Sequence, residues 1–236
     1  MRIFAGVARC FISEKEVFAT DVLSAILQSD PEVRRVVLNF CRDIAGSIPA
    51  DLDFLSQVSD DNGRPDIVGS ANGRRALVIE GKFDAPLTDM QPLGYIDSLP
   101  EGGLLLFLVS ERRADFVWRE LCRKFEIEAA AGVAKRAVVA GRHIALTTWH
   151  SLLEHTLSEL LARPVAEDIR QLLEFTRGCD MAAFVPFSSE EICNSRLPVI
   201  LLQTMHVAES ALRVAAEKEV CKLRRRPSSP RATVGT

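Results

Sequence analysis

The sequence predicts an α/β domain in which a mixed β-sheet is flanked by helices. Three observations carry this prediction. Apolar residues recur at helical spacing in two segments, 18–27 and 33–44, ahead of any strand pattern. Runs typical of strands follow at 54–58 and on both sides of a polar turn at 70–73. Every residue of 104–109 is apolar, which indicates a central strand covered on both faces.

The two amino-terminal helices have recognisable ends. Ser13 is expected to begin the first, which ends near Gln28. Asp30 is a favoured N-cap and Pro31 is favoured at the first helical position, so the pair predicts the start of the second helix. Gly46 is its predicted stop. Both helices are expected to pack on the sheet.

Further elements are predicted downstream. Helices are expected at 88–98, 112–125, 151–161 and 164–175, and a strand at 143–149 is expected at the sheet edge. The helix at 112–125 carries basic residues that are expected to be exposed, either as a solvated face or as a surface for phosphates: Arg112, Arg113, Arg119, Arg123 and Lys124.

Three regions differ in composition. Residues 1–178 hold the predicted sheet and its helices, and 179–221 read as a helical extension with helical periodicity from 197 to 223. Residues 222–236 form a basic tail rich in Pro and Ser, which predicts disorder.

Composition limits the functional classes. The 236 residues are 47% hydrophobic and 26% charged, typical of a globular protein. A formal net charge of -3 argues against a uniformly basic nucleic-acid binder, although it allows a local basic groove. The six scattered cysteines lack a CxxC pair, and we expect buried reduced thiols and a cytoplasmic location without a zinc site. No apolar stretch predicts a membrane span or a signal peptide.

The candidate chemistry lies between Asp66 and Lys82. Glu80 and Lys82 are two residues apart on an apolar, β-branched run, so a strand places both side chains on one face. Gly81 between them leaves its carbonyl uncrowded. Asp66 begins the preceding strand-like run.

Register decides whether the two acids can meet. A two-residue turn centred on Asn72 and Gly73 would pair Asp66 with Ile79, which puts Asp66 and Glu80 on opposite faces. An odd loop instead makes the acids diagonal neighbours on one face, about 7–8 Å apart between α-carbons. A β-bulge gives the same parity. A shared metal ion therefore requires an odd loop or a bulge.

Two carboxylates, a backbone carbonyl and a lysine suit Mg²⁺, which takes few protein oxygens and keeps several waters. Such an ion acidifies a water and neutralises charge on a phosphodiester, and the ammonium of Lys82 can stabilise the same charge. The pattern indicates phosphodiester hydrolysis.

Pro65-Asp66 followed by Glu80-Gly81-Lys82 resembles the PD-(D/E)xK nuclease superfamily, whose core is restriction-endonuclease-like. The resemblance covers roughly residues 13–150. It implies that Asp66 and Glu80 bind Mg²⁺ or Mn²⁺, with the Gly81 carbonyl, and that Lys82 assists catalysis.

Two further features resemble the exonuclease-like branch of that superfamily. Gln91 and Tyr95 fit its QxxxY element, which implies contact with nucleic acid or with the site. Glu16 resembles an additional acid beside the metal. Alternatives stay open: Glu16 can belong to a capping box with Ser13, and Tyr95 can be a core aromatic. Glu80 and Lys82 can equally be a solvent-facing pair on an edge strand.

The resulting hypothesis is a Mg²⁺- or Mn²⁺-dependent nuclease acting on nucleic acid, with DNA as the expected substrate. The first alternative is a catalytically inactive binding or scaffold protein on the same fold. The second is an unrelated α/β protein in which the pattern is coincidental. Assembly as a homodimer or with a partner subunit stays open.

Overall fold

The computed structural model describes residues 14–57, 59, 63–88, 91–128 and 135–182, and isolated positions between 202 and 214. The chain forms two compact units, residues 1–185 and 186–236. The described positions of the second unit are helical and exposed, in agreement with the predicted helix. The predicted basic tail lies outside the described residues.

Six strands of the first unit form one mixed sheet, which confirms the α/β prediction. They are β1 (Asp53–Ser56), β2 (Ile67–Ala71), β3 (Arg74–Lys82), β4 (Leu104–Val109), β5 (Arg136–Val139) and β6 (Arg142–Thr148). The spatial order is β1-β2-β3-β4-β6-β5. Strands β3, β4 and β6 are parallel, and the other pairs are antiparallel. The carboxyl ends of these three parallel strands therefore lie at the same end of the sheet.

Helices cover both faces of this sheet. They are α1 (Lys15–Ser29), α2 (Pro31–Ile44), α3 (Gln91–Asp97), α4 (Ala114–Lys124), α5 (Trp149–Glu159) and α6 (Ala166–Ala182). One apolar core joins α1, α2, α5 and α6 to one face, and a second core joins α3 and α4 to the other. Strand β4 is buried along its whole length and contributes alternate residues to the two cores, as its apolar sequence predicts.

Local chemistry explains the junction between α1 and α2. The carboxylate of Asp30 accepts hydrogen bonds from the backbone N–H groups of Glu32 and Val33, at 2.9 and 3.0 Å. These bonds satisfy two amides that the helix leaves unpaired, and Pro31 fits the position after the cap. The predicted helix start is confirmed.

Two predictions about the later elements are wrong. Strand β6, expected at the sheet edge, lies between β4 and β5. The edge strand is β5, a segment of four residues that is too short to show the alternation of a half-buried strand. Helix α6 continues beyond the predicted end near Phe175 to Ala182.

The described cysteines Cys41, Cys122 and Cys179 are buried, as predicted. The remaining three cysteines lie outside the described residues. None of the helices described here has both the length and the apolar character needed to cross a membrane.

Candidate active site

The β2–β3 hairpin sets the relative positions of the two predicted metal-binding acids. Its turn at 72–73 has two central residues with positive φ, the conformation that tight hairpins favour. The register then shifts at a β-bulge, so that Ile67 pairs with Ile79. One further step along this register places Asp66 opposite Glu80. Of the two features that a shared metal ion would require, an odd loop or a bulge, the structure has the bulge, and the acids are direct neighbours across the strands instead of diagonal ones.

Glu80 and Lys82 form a buried ion pair. The ammonium nitrogen of Lys82 lies 2.9 Å from Oε1 of Glu80. The two residues are 2% and 7% exposed, and β3 lies between β2 and β4. The alternative of a solvent-facing pair on an edge strand is therefore wrong. Glu80 and Lys82 lie on the same face of β3, and the bulge places Asp66 opposite Glu80. The three side chains are therefore close together.

Asp66 is held by hydrogen bonds to both carboxylate oxygens. The backbone N–H of Gly81 donates to Oδ2 at 2.8 Å, and Nε2 of Gln57 donates to Oδ1 at 3.2 Å. The backbone N–H of Gln57 also donates to the carbonyl of Asp66 at 2.9 Å. Gln57 was not found from the sequence, because a glutamine after a short strand carries no distinguishing pattern.

Gly81 lies where two helices approach β3 closely. A β-carbon at this position would lie 2.6 Å from Cγ2 of Thr20 in α1 and 2.8 Å from the Trp149 ring in α5. A glycine is therefore needed for packing. The carbonyl of Lys82 accepts from the N–H of Ser110 on the β4 side. Because successive carbonyls alternate along a strand, the Gly81 carbonyl points to the β2 side of β3.

Burial and mutual charge shift the pKa values of Asp66, Glu80 and Lys82. Burial, and then the charge of Asp66, raises the pKa of Glu80 to about 7, although Lys82 opposes this shift. Burial also raises the pKa of Asp66, against the effects of Gly81 and Lys82. Burial alone would lower the pKa of Lys82, but the carboxylates of Glu80, Glu16 and Asp66 together raise it. A positive charge near the two acids would stabilise their ionised forms.

Glu16 reaches the loop that follows β3. Its Oε1 accepts from the backbone N–H groups of Phe83, Asp84 and Ala85, at 2.6, 3.0 and 3.1 Å. Its Oε2 lies 4.0 Å from the ammonium nitrogen of Lys82. The carboxylate thus serves a distant loop, while Ser13, the partner in the capping-box alternative, lies outside the described residues.

Arg113 binds the carbonyl groups of the same loop. Its Nη1 donates to the carbonyl of Phe83 at 2.8 Å and to that of Ala85 at 3.2 Å. The residue is 3% exposed, so its prediction as an exposed basic residue is wrong. Its guanidinium satisfies carbonyls of a loop 28–30 residues earlier, and the local sequence gives no sign of that contact.

The two residues of the predicted QxxxY element lie in α3. Tyr95 is fully buried, and its hydroxyl donates to the carbonyl of Arg64 at 2.9 Å. It thereby supports the segment immediately before Pro65 and Asp66. Gln91 begins α3, and its side chain lies outside the described part of the structure.

The residues present fit a metal ion that takes few protein ligands. Glu80 Oε2 is buried and has no hydrogen-bond partner among the described residues. Hard carboxylate oxygens from Asp66 and Glu80, with the Gly81 carbonyl, suit Mg²⁺ or Mn²⁺. Within the described ranges, no group of three or more His, Cys, Asp or Glu side chains is placed to hold an ion. Water would therefore complete the coordination.

Comparison of the chain with protein-family models, with curated proteins and with solved structures gave no match.

Proposed function

We propose that the protein is a metal-dependent nuclease that hydrolyses phosphodiester bonds of DNA. One observation carries this proposal: the bulged hairpin brings Asp66 opposite Glu80, and the Lys82 ammonium lies 2.9 Å from the Glu80 carboxylate. Paired acids that hold a metal ion, with an ammonium beside them, can activate a water and stabilise the charge that develops during phosphodiester hydrolysis.

We also propose that the fold is restriction-endonuclease-like and that the chain is a PD-(D/E)xK nuclease. A helix, the antiparallel strands β1–β2–β3, a second helix and the parallel strand β4 follow one another, an order that resembles the core of this superfamily. Helix α1 ahead of the sheet carries Glu16, and α3 after β3 carries the QxxxY residues.

Each residue has a defined role in this proposal. Asp66, Glu80 and the Gly81 carbonyl hold Mg²⁺ or Mn²⁺, and Glu16 supports the loop beyond them. Lys82 has three N–H donors, of which Glu80 takes one, so the others can bind an attacking water or a phosphate oxygen. Tyr95 acts as a positioning residue through Arg64. When bound, the ion would acidify water and neutralise charge on the phosphate.

The test compares the parent with Asp66→Asn and Lys82→Met on linear duplex, circular duplex and single-stranded DNA and on RNA. Each reaction is run with Mg²⁺, with Mn²⁺ and with EDTA. We expect metal-dependent cleavage by the parent and a loss of about 10²-fold or more in either variant, the scale of removing one electrostatic group.

Asp51→Asn is the matched control. This aspartate has a side chain 84% exposed and pairs with Arg34 in the segment before β1, outside the site. It should cut DNA at the parent rate. Equal cleavage by the parent and by Lys82→Met, from preparations free of contaminating nucleases, would rule out the proposed nuclease.

One observation favours a second candidate, a binding or scaffold protein on the same fold. Both oxygens of Asp66 accept hydrogen bonds, and Lys82 pairs with Glu80, so the chain satisfies much of the site itself. Thermal melting distinguishes the two functions. The nuclease should be stabilised by Mn²⁺ through Asp66, whereas the scaffold should bind DNA with no Mn²⁺-dependent shift and no cleavage.

A further inference from the structure

The loop after β3 directs three consecutive backbone N–H groups at one point. The amides of Phe83, Asp84 and Ala85 all donate to Oε1 of Glu16, the longest of the three at 3.1 Å. Converging amides of successive residues make a concave anion site in many phosphate-binding proteins. We call these three amides the amide nest. In this structure the carboxylate of Glu16 fills it.

The amide nest is held in shape by contacts that do not involve this carboxylate. The carbonyls of Phe83 and Ala85 accept from the buried Arg113, at 2.8 and 3.2 Å. The carbonyl of Lys82 accepts from the N–H of Ser110 at 3.1 Å. The loop is therefore anchored through its carbonyls, and its amides stay aligned when another anion replaces the carboxylate.

Space and charge for a larger anion are available beside the amide nest. A cavity of about 360 Å³ is lined by residues 14–17 of the first turn of α1 and by residues 83–85. The Lys82 ammonium lies 4.0 Å from the second oxygen of Glu16, so an anion in that position is attracted by an ammonium that it shares with Glu80. Lys15 lines the same cavity, whereas Glu14 and Asp84 oppose an anion there.

We propose that the amide nest and Lys82 bind a phosphate group of the polynucleotide, which displaces Glu16. This inference rests on the proposed nuclease function. Phosphate offers more acceptor oxygens than a carboxylate, so one oxygen can take the amides while another faces Lys82. Because Lys82 also contacts Glu80, the bound phosphate lies next to the acids of the candidate active site.

The test is a titration of the ¹⁵N-labelled full chain with inorganic phosphate in EDTA, followed by the amide resonances of residues 83–85. In the parent these resonances should shift at high phosphate concentration. Glu16→Ala removes the competing carboxylate and should tighten phosphate binding about tenfold or more, the scale of one charge-assisted hydrogen bond. Glu16→Gln keeps a neutral acceptor and should give an intermediate affinity.

Glu14→Ala is the matched control, since it removes the same charge from the same cavity without touching the amide nest. Equal affinities in Glu14→Ala and Glu16→Ala, or unmoved amides at 83–85, would overturn the proposal. If Glu16→Ala disturbs the loop, Glu16→Gln still tests the proposal, because it removes the charge and keeps an acceptor for the amides. Because phosphate binding needs neither metal nor cleavage, this result is separate from the nuclease assay: an inactive protein can still bind phosphate, and an active one can fail to.

Discussion

The ammonium of Lys82 and the carboxylate of Glu80 lie 2.9 Å apart, and both side chains are buried on one face of β3. A buried pair of this kind depends on both partners, because either charge alone would be left desolvated. The stability of the domain is therefore linked to the state of the candidate active site.

Replacing Lys82 with Met should expose this dependence. The Glu80 carboxylate would then be buried without its partner, and the free energy of unfolding at pH 8 should fall by about 3–5 kcal/mol. Urea denaturation measures the change. The double variant Glu80→Gln/Lys82→Met removes both charges and should recover most of the loss. A single variant as stable as the parent would show that the pair is not coupled to folding.

The raised pKa of Glu80 predicts a pH dependence of stability. A carboxyl with a pKa of about 7 in the folded state still holds a proton at a pH where the unfolded chain, with an ordinary glutamate pKa of 4.5, has released it. This contribution is complete below about pH 4.5 and is lost as the pH rises through about 7. The loss is on the order of 3 kcal/mol, at about 1.4 kcal/mol for each pKa unit.

Thermal melting in EDTA from pH 5 to pH 8 tests this dependence. The parent should lose stability over that range more steeply than Glu80→Gln, which cannot titrate there. Saturating Mg²⁺ or Mn²⁺ should reduce the difference, because a bound cation favours the ionised carboxylate. Identical slopes for the two proteins in EDTA would contradict the assigned pKa.

The close approach at Gly81 predicts a steric cost for any side chain there. Gly81→Ala would place a β-carbon 2.6 Å from Cγ2 of Thr20, so the free energy of unfolding should fall by about 1–3 kcal/mol. Adding Thr20→Ser removes that methyl group and should restore part of the loss. Gly46→Ala is the control, since a β-carbon there has no neighbour within 4 Å. Equal effects at the two glycines would contradict the packing described here.

Replacing Arg113 should lower the free energy of unfolding far more than replacing its neighbour Arg112. Arg113→Ala leaves the carbonyls of Phe83 and Ala85 without their buried donor, and the loss should be about 2–3 kcal/mol. Arg112 is exposed and makes a 3.4 Å contact with the Met181 carbonyl. Arg112→Ala should stay within about 0.5 kcal/mol of the parent. Urea denaturation of both variants makes the comparison, and similar values would refute the loop-holding role of Arg113.

The sequence was informative where one residue type suits one local geometry. Asp30 with Pro31 identified a helix start, and the apolar run of β4 identified a strand covered on both faces. The parity argument for Asp66 and Glu80 limited a shared site to an odd loop or a bulge, because side chains of a strand alternate strictly between its faces, and the structure has the bulge.

The sequence was uninformative where a contact joins distant segments. Two residues far away along the chain hold the loop at 83–85. Glu16 lies 67–69 residues before the loop residues that it contacts, and Arg113 lies 28–30 residues after those that it contacts. A charged residue near a helix start has the same local pattern whether it meets water or a buried carbonyl. Strand β5 was missed for a related reason, since a short, half-exposed edge strand has little apolar periodicity.

The bulge in the β2–β3 hairpin also bears on how such a protein diverges over evolutionary time. Loss of Ala76, the unpaired residue of β3, would leave a regular two-residue hairpin with the same acids facing each other. Insertions and deletions toward the tip of the hairpin can therefore be absorbed, provided that the side-chain alternation beyond Leu77 is kept. The chain length between the two acids can drift while their spatial relationship persists, so distant descendants would keep the geometry and lose the spacing.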